Sequence, residues 1–191
     1  MNRKWGIMVL FLFVFMMGLA SFPTPAHAQQ QSEVMRNYQE ALRARGIVEP
    51  RPIRNPISLF FNVKEFGPNL AYLSGTLSHI EGTLSHTGRV NAEVSVEDAI
   101  KAAEITAANL LANIIDHFGS LDRVKSIVKM TTFVVAAPEF YALSQIANGA
   151  CQFFIDVFGR EKGTPARSTV GVSALVGNGP VEIEILIELY P

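Results

Sequence analysis

The sequence is poor in the residues that build covalent or metal frameworks. It has one cysteine, Cys151, among 191 residues, which excludes an internal disulfide framework and any cysteine-rich zinc or iron–sulfur site. Its four histidines, His27, His79, His86 and His117, show no HExxH or comparable spacing, so a dedicated metal centre is not expected. An excess of charge is also missing, since 16 Lys+Arg face 17 Asp+Glu. Without a basic surplus to release counterions, a nucleic-acid partner is not expected. No internal repeat occurs, and the only low-complexity tract is Gln29-Gln30-Gln31. What remains is a chain that is 49% hydrophobic and 17% charged, able to bury a sizeable core as one domain with an appendage.

The appendage comes first. Arg3 and Lys4 precede an apolar run from Ile7 to Met17, Pro23 and Pro25 break the segment, and Ala26-His27-Ala28 has the A-x-A form of a cleavage site. Charged, apolar, then small is the order of a secretory signal peptide. The run is short against the ~20 residues that span a bilayer. We therefore expect residues 1–28 to be removed, no stable membrane insertion afterwards, and a periplasmic or secreted product.

Residues 29–56 read as an N-terminal arm. A helix is expected over 32–45, capped by Ser32, with Val34, Tyr38, Ala41 and Leu42 near one face and Gly46 ending it. Pro50, Pro52 and Pro56 then impose an extended connection. The core domain is expected over 57–191.

Within it, 59–63 and 70–73 read as strands joined at Gly67-Pro68-Asn69, with Ser74-Gly75 ending the second. A polar loop or irregular hairpin follows. Ser95 with Asp98 opens a long amphipathic helix that Gly119 stops. Residues 124–136 are β-branched and alternating, hence a strand. A second core helix is expected from Pro138 to about Phe158. Two last strands, 168–175 and 181–189, are joined by Gly177-Asn178-Gly179-Pro180 and read as a hairpin. This β-β-α-β-α-β-β order implies an α+β sandwich, one sheet with both helices on a single face. Glu182, Glu184 and Glu188 alternate with Ile183, Ile185 and Ile187, the half-polar pattern of an antiparallel sheet. An oligomer would cover its open face.

The residues with chemistry to offer lie in these last strands. Arg167 opens one, and Glu182 stands near the start of the other. In a hairpin the two would approach each other, and by spacing alone an ordinary cross-strand ion pair satisfies the pattern. Cys151, within a buried helical stripe, reads as core or subunit interface rather than nucleophile. His79 and His86 sit in a polar loop, Lys125 and Lys129 read as solvent-facing, and Ser74 lacks a G-x-S-x-G elbow.

The stretch PARSTVGVSALVGNGPVEIEILIEL resembles the carboxyl-terminal signature of the Rid/YjgF family, the reactive intermediate deaminases. Tyr72-Leu73-Ser74-Gly75 is similar to the family's early SG motif, and 125–138 to its I-V-K-x-T-x-F-V block. The similarity spans about residues 57–190. Asn148-Gly149-Ala150 and the Gly-Val after Arg-Ser-Thr-Val look like a broad bacterial subgroup.

The resemblance implies a chorismate-mutase-like fold, a homotrimer with clefts between subunits, and cofactor-independent hydrolysis of small 2-imino or enamine acids. It implies that Arg167 clamps a substrate carboxylate, that Glu182 positions water or shuttles a proton, and that Ser74, Gly75 and Phe60 line the cleft. The implied partner is a small carboxylate-bearing metabolite. Two departures stand out: Thr169 occupies a position that is often cysteine, and Phe60 one where many members carry tyrosine. An exported trimer that only binds small carboxylates or proteins is the alternative. The family's older label of endoribonuclease meets the charge balance as an objection.

Overall fold

The computed structural model describes residues 32–52 and 59–191. The leader-like segment, the glutamines, Pro56 and the expected start of the core at Ile57 lie outside the described residues.

Helix α1, Glu33–Ala44, starts where a hydroxyl can satisfy a free amide: Ser32 Oγ accepts from the Met35 N–H at 3.2 Å. Of its apolar face, Tyr38, Ala41 and Leu42 go inside and Val34 is partly covered. Tyr38 is buried, stacks edge-on to Phe153 at 6.2 Å, and donates its hydroxyl to the Ala108 carbonyl at 3.3 Å. Burial holds that phenol well above its ordinary range. Arg45 then ties this helix to the other two. Its Nε lies 3.0 Å from Glu104, Nη2 lies 2.5 Å from Asp156, Nη1 donates to the Ala41 carbonyl, and the guanidinium sits over Phe153.

Helix α2, Val96–Phe118, is capped by Ser95, whose Oγ accepts from the Asp98 N–H at 3.0 Å, and ends at Gly119 in the left-handed conformation. Helix α3, Leu143–Gly163, crosses it so closely that a Cβ on Gly149 would lie 2.8 Å from the Ile100 carbonyl oxygen. This helix begins five residues after Pro138, because Glu139 takes a φ of 65° and the chain turns once more before coiling. It also continues beyond Phe158, through a non-helical Gly159.

The strands are β1 Val63–Phe66, β2 Leu70–Leu77, β3 His79–Ile80, β4 Thr83–Leu84, β5 Val124–Val135, β6 Ala166–Val172 and β7 Val181–Leu189. Strands β3 and β4 form a small separate hairpin, and the other five make one sheet in the order β1-β2-β7-β5-β6. Every pairing is antiparallel except β5 with β6. The helices cover one face, where Ile183, Ile185 and Ile187 are essentially inaccessible, each contributing about 2 kcal/mol of burial. This is the α+β architecture that the element order implies.

Three expectations are corrected. The first strand begins at Val63 rather than near Leu59, because Ser74 holds the preceding segment: its N–H donates to the Asn62 carbonyl and its Oγ to that of Phe61. Strand β2 does not end at Ser74-Gly75 but bulges between Leu73 and Thr76 and continues. Most consequentially, β6 and β7 are not a hairpin. The α3 crossover lays β6 parallel to the edge of β5, and β7 returns on the opposite side, between β5 and β2.

Candidate functional site

The parallel pairing fixes where Arg167 points. It stands level with Met130 of β5, as Thr169 does with Thr132 and Gly171 with Val134. Met130, Thr132 and Val134 are buried under the helices, so Arg167 leaves the sheet on that side and meets α3. Asn148 and Cys151, one helical turn apart, receive it. Nη1 donates to Asn148 Oδ1 at 2.7 Å and lies 3.6 Å from Cys151 Sγ. No other atom of the guanidinium is bonded among the described residues, so the Nε–H and Nη2–H fork is open. That fork matches a carboxylate through two parallel charge-assisted bonds. Thr169 stands beside it, its Oγ1 buried without a partner among the described residues.

Glu182 belongs to the opposite face. Along β7 the isoleucines go under the helices and the glutamates to the open side. Its carboxylate fills the space in front of Gly75: a Cβ there would fall 1.9 Å from Glu182 Oε1. Glycine in the β2 bulge is therefore a steric requirement of this carboxylate's position. Burial, reinforced by the negative charge of Glu184, raises the Glu182 pKa above the ordinary carboxylate range. Tyr72, on the same face, has its phenol pushed up to about 12 by burial and by a hydrogen bond to Glu184.

The residues singled out from sequence thus fall into two groups. Glu182, Gly75 and Ser74 gather around the bulge, and Phe60, 61% exposed, borders a cavity that Gly75 also lines. Arg167 stands apart from all of them. It is separated from β7 by β5 and projects from the other face, so the expected hairpin approach of Arg167 to Glu182 does not occur within one chain. The reason is the crossover, which spends the loop 173–180 on passing β5 rather than on a tight turn.

Sequence reasoning missed Asn148 as the group that holds the guanidinium, although its triplet carried part of the family resemblance. It also missed Tyr72 as a polar member of the open face, because an alternating strand signals which face a residue takes but not which strand lies next to it, here β7 with Glu184. Cys151 is half-buried against Arg167. Lys125 and Lys129 are engaged on the sheet, with Glu188 at 2.9 Å and Ser168 at 2.6 Å. His86 has Ser85 Oγ at 2.9 Å, while His79 is held below its usual pKa, chiefly by burial. Among the described residues no three His, Cys, Asp or Glu side chains converge to hold a metal ion.

Comparison with known proteins bears on this arrangement. The sequence model described as endoribonuclease L-PSP matches residues 62–189. Protein TCP17 of Trypanosoma cruzi is 37% identical over 118 residues, 62% of this chain and 74% of that one. Among solved structures, a protein of unknown function from Agrobacterium tumefaciens superposes with a TM-score of 0.75 at 30% identity, over 82% of this chain and 95% of that one. A protein of Shewanella oneidensis MR-1 does so with 0.73 at 20% identity, over 80% and 99%. A relative in a trypanosome means that the similarity is not confined to bacteria. With the sheet order, the terminal motif and the matched span in agreement, the chain belongs to the endoribonuclease L-PSP family, the Rid/YjgF family that its carboxyl-terminal strands resemble.

Proposed function

We propose that the protein hydrolyses small 2-imino or enamine acids to 2-oxo acids and ammonia, without a cofactor, at clefts where the Arg167 edge of one subunit meets the Glu182 face of its neighbour in a homotrimer. One observation carries this reading: a guanidinium anchored at one nitrogen by Asn148, with its carboxylate-matching fork left open. Arg167 and Glu182 leave opposite faces of the sheet, so one ligand reaches both only across a subunit boundary. The open face supports such packing, since Phe66, Tyr72 and Val170 are large apolar side chains left exposed there.

In this reaction the fork of Arg167 grips the substrate carboxylate and so aligns the adjacent C=N carbon. Glu182, as carboxylate, accepts a proton from the water whose oxygen bonds to that carbon. The C=N π bond opens onto nitrogen, which takes that proton from Glu182 to give a carbinolamine; Glu182 then accepts the hydroxyl proton and passes it to the same nitrogen, so the C–N bond breaks and ammonia leaves as the carbonyl forms. A carboxyl pKa raised above its ordinary value, by burial and by Glu184, suits a group that must act as base and then acid. Thr169 takes the place of a cysteine and Phe60 that of a tyrosine, so water is positioned by Glu182 with less help than in relatives carrying both.

The test is release of ammonia and 2-oxo acid from freshly generated iminopropanoate. Arg167→Ala is expected to lower the rate by about a thousandfold, and equal rates for the two proteins would refute the assignment. The leader-like segment favours a second reading, a non-catalytic exported trimer that binds small carboxylates or protein partners, because amino-acid imines arise mainly inside cells. Carboxylate binding that needs Arg167, with no imine turned over, selects it. Mass determination of exported protein tests removal of residues 1–28. RNA cleavage by nuclease-free protein would instead select the ribonuclease activity that the family's description names.

A further inference from the structure

The cavity that Gly75 and Phe60 line has a volume of about 340 Å³ and continues from the β2 bulge to α2. It belongs to the cleft beside Glu182, yet it offers far more room than the methyl group of iminopropanoate fills and lies within the size range of small-molecule sites. Part of its α2 wall is Asn109, 7% exposed. Asn109 Nδ2 donates to the Leu77 and His79 carbonyls at 2.9 and 3.0 Å. Both amide N–H groups are thereby used, which fixes which end of the carboxamide is oxygen. That oxygen, Oδ1, is left buried and without a partner among the described residues, and so is Nδ1 of His79, which lines the same cavity. A buried acceptor without a donor carries a desolvation cost that a ligand can relieve.

These two atoms select what the cavity holds. Burial keeps the His79 ring below its usual pKa, so it is uncharged at neutral pH, and with its proton on Nε2 its Nδ1 accepts as Asn109 Oδ1 does. A carboxylate here would face two acceptors. An ammonium or guanidinium would find no Asp or Glu among the described lining residues, and one cation, Arg51. An alkyl end would suit Phe60, Leu77 and Val176 but leave both acceptors unpaired. A primary carboxamide on a short carbon stem satisfies every wall: the stem meets the apolar side chains, and its two N–H groups match the two acceptors, where a hydroxyl would supply one. We propose that the cavity receives the substrate's side chain, and that Asn109 with His79 selects 2-imino acids whose side chain ends in a primary carboxamide, the imine of glutamine being one. This inference rests on the deaminase reading, which holds the C=N carbon between Arg167 of one subunit and Glu182 of the next.

The experiment gives the full chain two freshly generated imines, one from glutamine and one from 2-amino-5-methylhexanoate, in which an isopropyl group replaces the carboxamide, each corrected for spontaneous hydrolysis. The glutamine imine is expected to have a kcat/KM about tenfold higher, the contribution of one or two hydrogen bonds. His79→Phe keeps a ring and the backbone carbonyl that Asn109 uses, and is expected to reduce that ratio to about threefold by removing one acceptor. Asn109→Leu is expected to bring it to about one; should that variant fail to fold, the ratios in the unmodified chain and in His79→Phe decide. Equal kcat/KM for the two imines, or an amide preference unmoved by His79→Phe and by a folded Asn109→Leu, would overturn the proposal and leave the deaminase reading standing. The same proteins are titrated with glutaramate and with 5-methylhexanoate, which carry the same two ends and no imine. If neither imine is hydrolysed the deaminase reading fails, and the titration alone judges the cavity. Glutaramate bound about tenfold more tightly, with the difference reduced in His79→Phe, would support the selection of a carboxamide end. Equal affinity, or no binding of either acid at about 10 mM, would overturn it.

Discussion

Two arginines show how differently the same side chain can be held in two places of one fold. Arg45, at the junction of the three helices, is bonded through all of its nitrogens: Glu104 at Nε, Asp156 at Nη2, the Ala41 carbonyl at Nη1, with the Phe153 ring beneath. Arg167, at the sheet edge, has one nitrogen bonded to Asn148 and grazing Cys151, and the rest open. Saturation makes the first a clamp on α1, whereas the second keeps the open fork on which the proposed carboxylate binding rests. A guanidinium that is oriented but unsatisfied has its geometry set before a carboxylate arrives, which lowers the ordering cost of binding.

The contrast breaks most visibly at Arg167. Arg167→Ala is expected to lower kcat/KM for imine hydrolysis by about a thousandfold, equivalent to ~4 kcal/mol of lost charge-assisted bonding, while moving the thermal midpoint little. Arg167→Lys keeps the charge without the fork and should recover only part of that loss. Arg45→Ala reverses the pattern. Leaving Glu104 and Asp156 without their cation should cost about 2 kcal/mol in denaturant unfolding, discounted because Asp156 is partly exposed, with activity of the remaining folded protein unchanged.

Asn148→Ala sharpens the comparison, since it removes the tether but not the charge. KM should rise about tenfold with a smaller change in kcat, and Asn148→Asp should be worse for substrate, because a carboxylate there would draw the fork inward. The smallest effect on stability concerns Glu182. Its folded-state pKa is raised, so its ionisation opposes folding as pH climbs from the unfolded value through the folded one. Glu182→Gln should therefore unfold at slightly higher denaturant than wild type at pH 7, the two converging in acid, where both are uncharged. Its hydrolytic activity should nonetheless be lost. A variant less stable at pH 7 than in acid relative to wild type would contradict the burial of this carboxylate.

Legibility in the sequence followed the range of the interaction. Ser32, Ser95 and Gly119 announced helix ends because capping is settled within four residues. The alternation of Glu182 to Leu189 correctly gave a strand with one buried face. It gave no sign that this strand is the middle of the sheet, since open-face glutamates are compatible with a central position when only one face is covered by helices. The Gly177–Pro180 loop imitated a hairpin turn. Its glycines serve instead to bring the chain over the end of β5, with Leu77 packed so close to Gly179 that a Cβ would fall 2.4 Å away. The family resemblance groups Phe60 with Ser74, and their segments are held together by the Ser74 bonds to Phe61 and Asn62, but nothing local to either residue contains that contact.

The amino-acid order alone determined the helices, the faces of the strands and the residue types able to grip a carboxylate, because each depends on periodicities and caps a few positions long. The partition of those residues was decided only when α3 carried β6 to the edge of β5. Covalent neighbours along the chain became strangers across the sheet, since strand order is set by how a whole helix packs back on its core and not by the turn between two strands.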